Sequence, residues 1–185
     1  LGNSDFTMEA WMKADPTQTS YPQIMSNRAS GNDGFLFGLW TDGRLYIRAA
    51  NSNMARANSG DLRDGTWHHV AAVRSAGVIQ YYIDGVAKGT ANVGNRNITS
   101  TQNILYIGWD RPSPFNTAFR GNIDQVAIWN IARTQAEINT DMNSTLNGSE
   151  TGLAAYWSFD EGQGNITADQ TTNGNDGQVS GATWD

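Results

Sequence analysis

Apolar and polar residues alternate over FTMEAWMKA, residues 6–14: Phe6, Met8, Ala10 and Met12 fall on one side, Thr7, Glu9, Trp11 and Lys13 on the other. A half-buried β-strand requires this period of two, because successive side chains leave opposite faces of a sheet. QIMSNR follows as a second run. GFLFGLWTDGRLYIRAA then reads as two strands folded about Thr41-Asp42-Gly43, a strong hairpin signal. TWHHVAAVRSAGVIQYYIDGVAKG reads as another hairpin, turning at Ser75-Ala76-Gly77, and Asp84-Gly85 begins a third turn. NILYIGW (103–109), GNIDQVAIWN (121–130), GLAAYWSF (152–159) and GQVSGATW (177–184) complete the strands. The period slips once. Phe119, Gly121 and Ile123 share one face while Val126 and Ile128 fall on the other, which predicts a β-bulge near Ile123-Asp124. One short helix is predicted at 134–138, where Thr134 and Glu137 have the spacing of a capping box. Many short strands separated by Gly and Asn turns predict an all-β sandwich.

Composition narrows the partners. The chain has 185 residues, expected to form one domain over 1–185, with 38% hydrophobic and 16% charged residues and a net charge of -6. Lys13 and Lys88 are the sole lysines and no basic stripe exists, which argues against nucleic acid and anionic membrane surfaces. No apolar run is long enough to span a bilayer. With no cysteine, disulfides cannot hold the fold, and a bound ion could serve instead. The abrupt opening at Leu1-Gly2-Asn3 suggests a piece of a longer chain. The seven Trp residues suit a large core or sugar-stacking platforms.

DFTMEAWMK, DGTWHHVAAVRSAGVIQYYIDGV, FRGNIDQVAIWNIARTQAEI and GLAAYWSFDEGQGNITADQTTNGNDGQVSGATW together resemble the concanavalin A-like, laminin-G-like family. The resemblance covers most of the chain. It implies a two-sheet antiparallel jelly-roll sandwich, binding of glycans, often with calcium, and a place in secreted or cell-surface proteins beside neighbouring modules. The C-terminal segment could close the sandwich or begin an adjacent repeat. Fold alone does not give function.

Four constellations carry candidate chemistry. The adjacent His68 and His69 must point to opposite faces of a strand, so they cannot chelate one metal, and a packing role is expected. Glycoside hydrolases of this architecture need carboxylates at alternating positions of one strand. Glu9 and Asp124 each stand alone and Asp160 and Glu161 are adjacent, so an enzyme is not expected. For calcium, the loop ADQTTNGNDG supplies Asp169, Asn173, Asn175 and Asp176. Asp124 resembles a strand carboxylate that holds calcium in related jelly rolls, with Asp160 near the same sheet end. An Asn/Gly turn with Asx hydrogen bonds explains that loop equally well. For a glycan, the resemblance to pentraxin ligand loops points to Asn32 and Asp33 in the first loop and Asp110 in the second, where Arg111-Pro112 replaces the usual run of acidic and amide ligands. It brings Arg28, Trp109, Asp110 and Arg111 together, beside Tyr46 and Arg48 on one face of their strand. Rings to stack on, and charges for paired hydroxyls, are what a sugar needs. The competing reading is a spacer or protein-binding adhesion module, with a glycoside hydrolase as a weaker third.

Overall fold

The computed structural model describes residues 1–29, 33–52, 55–110 and 117–185. In chain order its elements are β1 (Phe6–Ala14), β2 (Gln23–Ser26), β3 (Phe35–Leu39), β4 (Leu45–Ala49), β5 (Ala55–Arg56), β6 (Trp67–Ser75), β7 (Val78–Ile83), β8 (Val86–Asn92), β9 (Tyr106–Ile107), β10 (Gly121–Trp129), α1 (Gln135–Asp141), β11 (Leu153–Trp157), β12 (Ile166–Thr167) and β13 (Gly177–Gln178). A six-stranded antiparallel sheet runs β11-β10-β1-β6-β7-β8, and a five-stranded sheet runs β5-β4-β3-β2-β9. This is the expected two-sheet sandwich.

The alternation in β1 sets the layers. Phe6, Met8, Ala10 and Met12 are fully buried and share one core with Phe35, Phe37, Leu39, Leu45, Ile47 and Ala49 of the facing sheet. The opposite face of β1 is not simply solvent-facing. Ile138 of α1 packs on Ala71, Val73 and Tyr82, so the helix covers part of the outer face of the six-stranded sheet. The capping box forms as predicted, with Thr134 at the N-cap, although the helix runs on to Asp141. Arg133 fastens it: its guanidinium lies 4.0 Å over the Trp129 ring and donates to Asp141 at 2.7 and 3.0 Å.

The predicted bulge exists, displaced slightly toward the C-terminus. Glu9 pairs with Ala127 and Trp11 with Asp124, so Ala10 faces both Gln125 and Val126. Gln125 takes φ 46°. Alternation shows that a residue is inserted between Ile123 and Val126 but not which one leaves the ladder. NILYIGW and GQVSGATW yield much shorter strands than expected, because β9 pairs with just two residues of β2 at the sheet edge and Gly108 then turns with φ 77°. β11 pairs with β10, so GLAAYWSF extends the six-stranded sheet and does not begin a separate unit.

Candidate functional site

On β4 the expected alternation holds. Leu45, Ile47 and Ala49 enter the core, and Tyr46 and Arg48 face away from it. Cross-strand pairing builds a row on this outer face, because Arg48 pairs with Leu36, Leu36 with Ser26, and Ser26 with Tyr106. Trp109 follows, 45% exposed, with its ring edge-on to Tyr106 at 5.8 Å.

Arg28 is the organised cation of this face. Its Nε donates to both Asp110 carboxylate oxygens at 3.0 and 2.8 Å, and its Nη2 donates at 2.5 Å. Ser26 Oγ adds a donor to the same carboxylate at 2.9 Å. Asp110 is fully buried. A buried carboxylate is tolerated when it is paired and hydrogen-bonded in this way. The loop bearing Arg28 closes only because residue 34 is glycine: φ is +63°, and a Cβ there would lie 2.5 Å from Asn27 Oδ1 and 2.7 Å from Arg28 Cα.

Three predicted ligand residues therefore take different parts. Asp110 orients Arg28 from inside and presents no free edge. Tyr46 is 1% exposed, accepts from Gln23 Nε2 at 2.8 Å and sits under Trp40, so it offers no stacking surface. Asp33 ties two loops together, accepting from Ala29 N at 2.9 Å and Thr101 Oγ1 at 3.0 Å. Arg48 is half-buried and reaches Asn51 Oδ1 at 3.4 Å. Asn32 and Arg111 lie outside the described residues. The half-buried rings that sequence reasoning missed are Tyr106, and Trp40 with Tyr21, which meet edge-on at 4.6 Å beneath Arg56. Tyr106 joins the site through pairing with β2, which no local pattern reveals. Trp40 directly precedes the Thr41-Asp42-Gly43 turn, a position legible as a hairpin flank.

The oxygen-rich loop is spent internally. Asp169 Oδ1 accepts from Tyr156 N and Thr171 N, and Oδ2 from Asn175 N and Nδ2, at 2.8–3.1 Å. Burial pushes this carboxyl up, but these donors outweigh it and hold it low. Asp176 Oδ1 accepts from Asp169 N, and Asn173 Nδ2 donates to Ala154 O. The loop residues thus do not fit a closed calcium cage, which needs six to eight free oxygens. Asp124 and Asp160 stand apart from that knot and feel each other: burial, then Asp160, raise the Asp124 carboxyl. Among the described residues no three acidic, histidine or cysteine groups are arranged so as to hold a metal ion.

The histidines do point to opposite sides. His68 is gripped by Asp84 at 2.8 Å and Asp64 at 3.1 Å, whose hydrogen bonds outweigh burial and raise its proton affinity. His69 is 3% exposed and lies edge-on to Trp11, with Nε2 3.6 Å from Glu9 Oε2.

A family model described as the concanavalin A-like lectin/glucanases superfamily matches residues 1–139. Among curated proteins, pappalysin-1 of Mus musculus is 27% identical over 165 residues, covering 78% of this chain and 10% of that one. The chain thus spans about a tenth of that relative's length. A Bacteroides ovatus structure described as a candidate carbohydrate-binding protein matches with TM-score 0.73 and 21% identity, over 99% of this chain and 56% of that chain. A Ruminococcus gnavus sialidase carbohydrate-binding module bound to α2,6-sialyllactose matches with TM-score 0.57 and 14% identity, over 74% of this chain and 82% of that one. These structural likenesses establish the fold.

Proposed function

The chain belongs to the concanavalin A-like lectin/glucanases superfamily, and on that footing we propose that it is a non-catalytic glycan-binding module of a secreted or surface protein. The ligand lies on the outer face of the five-stranded sheet. Trp109 and Tyr106 are its stacking rings, and Arg28 and Arg48 are its donors. One observation carries the reading: a fully buried carboxylate, Asp110, is committed to fixing one surface guanidinium beside a ring that is 45% exposed. A rigid guanidinium fork matches paired sugar hydroxyls or a sugar carboxylate. The structural relatives described as carbohydrate-binding support this assignment. Against hydrolysis, Glu9 is 2% exposed and Asp110 is bound up with Arg28. Calcium enters only at the Asp124–Asp160 pair, and as a stabiliser.

A glycan-array screen with and without chelator tests the proposal. Binding should be weak, on the order of millimolar to micromolar, as single shallow sites are. Multiple modules would compensate through avidity. Trp109→Ala and Arg48→Ala should each weaken binding about tenfold or more with an unchanged melting temperature, a loss of roughly 1.4 kcal/mol. Asp110→Asn should weaken binding and also lower the melting temperature, because it frees Arg28. An array on which no glycan is retained would favour the spacer or protein-binding module.

A further inference from the structure

We infer that the groove on the outer face of the six-stranded sheet is a second carbohydrate site, built for a short neutral oligosaccharide. It lies on the opposite sheet from the first site. Trp11 of β1 and Trp67 of β6 form one wall, and residues 142–145, just after α1, form the other. The bulge residue Gln125 and its neighbour Asp124 close one end. The groove measures about 460 Å³, within the usual size of small-ligand sites. Trp67 is 43% exposed and Trp11 half-buried, so both rings can offer a face to a pyranose.

The floor supplies the second observation. Glu9 and His69 are 2% and 3% exposed, and Glu9 Oε2 and His69 Nδ1 have no hydrogen-bond partner among the described residues. The other ring nitrogen, His69 Nε2, lies 3.6 Å from Glu9 Oε2, too long for a hydrogen bond that would satisfy the carboxyl oxygen. Buried polar atoms are rarely left unsatisfied without a function or a bound molecule. Both groups line a small recess that shares Trp11, Gln125 and Ser144 with the groove, with room of about 10 Å³, enough for one water or hydroxyl oxygen. A ligand hydroxyl, or a water it holds, would meet a donor and an acceptor there.

The charge of the lining selects the class of sugar. Among the described residues no lysine or arginine lines the groove, while the carboxylate of Asp124 lies at its end. An acidic sugar would be repelled. The rest of the polar lining is neutral and both donates and accepts, through Gln125, Asn143, Ser144 and Thr145. Hydroxyls need that mixture. The first site carries the opposite character, with guanidinium groups on its face.

The test follows tryptophan indole N–H resonances by NMR as the 185-residue chain is titrated separately with cellotetraose, mannotetraose, xylotetraose and galactotetraose. At least one should shift the Trp11 and Trp67 indoles while leaving Trp109 in place. Trp67→Ala, at a position 43% exposed and at the first residue of β6, should lower that affinity tenfold or more with the melting temperature unchanged. Trp109→Ala should leave it unchanged. Unmoved Trp11 and Trp67 signals with all four sugars would overturn the inference, as would full affinity in Trp67→Ala. Shifts confined to Trp109 would also overturn it while supporting the first site. Shifts confined to Trp11 and Trp67 would support the inference and leave the first site, whose guanidinium groups also match a sugar carboxylate, to be decided by the glycan array.

Discussion

Burial pushes the Glu9 carboxyl up to about 8, with Asp141 reinforcing it against the Trp129 hydrogen bond and Arg133. Burial pushes His69 the other way, to about 4. Both side chains are therefore neutral near pH 7, and linkage fixes opposite signs for them. Glu9 binds its proton more tightly folded than unfolded, so its contribution is complete below about 4.5 and is lost as pH rises toward 8. His69 binds its proton less tightly when folded, so its contribution is complete above about 6.5 and is lost as pH falls toward 4. Between those limits the two slopes cancel. Compared with the parent chain, Glu9→Gln should remove the decline toward pH 8 and expose a rise from pH 4 to 6.5. His69→Gln should expose a continuous decline from 4.5 to 8. Urea midpoints measured against pH check both. A tenfold change in proton affinity is about 1.4 kcal/mol, so each wing should span on the order of a few kcal/mol. Parallel curves in parent and variants would show that neither group is held neutral. Strand alternation was enough to separate His68 from His69. It could not show that His69 would lie beside Glu9, because that depends on which strand neighbours which.

At the scale of elements, period-two patterning located most of the strands and the capping box located the helix. Each signal lives in a few consecutive residues. Depth was less legible. Tyr46 shows the correct face by alternation, yet Trp40 covers it, and Asp110 ends in the interior because Arg28 and Ser26 converge on it. Neither contact is local in sequence. The helix matters beyond its length, since its last residue, Asp141, lines the recess that holds Glu9 and it leads directly into residues 142–145 of the groove wall. Thr134 Oγ1 accepts from Glu137 N at 3.3 Å, and Glu137 Oε2 accepts from Thr134 N at 2.7 Å. Thr134→Ala should cost about 1 kcal/mol, the usual worth of such a cap. It should also speed amide exchange over 135–145 relative to the strands of the main core. Uniformly faster exchange across both sheets would mean that the helix is not an independent closing unit. Unchanged exchange would mean that Arg133 alone holds it, through Trp129, Glu137 and Asp141.

At the scale of the whole molecule, a chain without cysteine must hold β11, the edge strand of the six-stranded sheet, without a disulfide, by noncovalent contacts or with an ion. The packing is present: Leu153, Ala155, Tyr156 and Trp157 of β11 are all buried. The Asp169 knot then ties the following loop back to β11 through Tyr156 N. Asp124 and Asp160 strain this junction, since β10 carries one carboxylate and the segment after β11 carries the other. Raised by burial and by Asp160, the Asp124 carboxyl subtracts stability as pH rises through the carboxylate range. A divalent cation between the two would reverse the sign of that interaction. With two carboxylates and the remaining ligands from carbonyls or water, calcium should bind weakly, with a dissociation constant on the order of 10⁻⁴ to 10⁻³ M. Saturating calcium should therefore raise the melting temperature by a few degrees, and excess chelator should restore the starting value. Asp160→Asn separates the ion from the repulsion. The variant should melt higher than the parent in chelator, because one charge is gone, and should no longer respond to calcium. A parent curve that is identical in calcium and chelator would leave β11 held by packing and the Asp169 knot alone. A calcium response that survives Asp160→Asn would place the ion elsewhere in the chain.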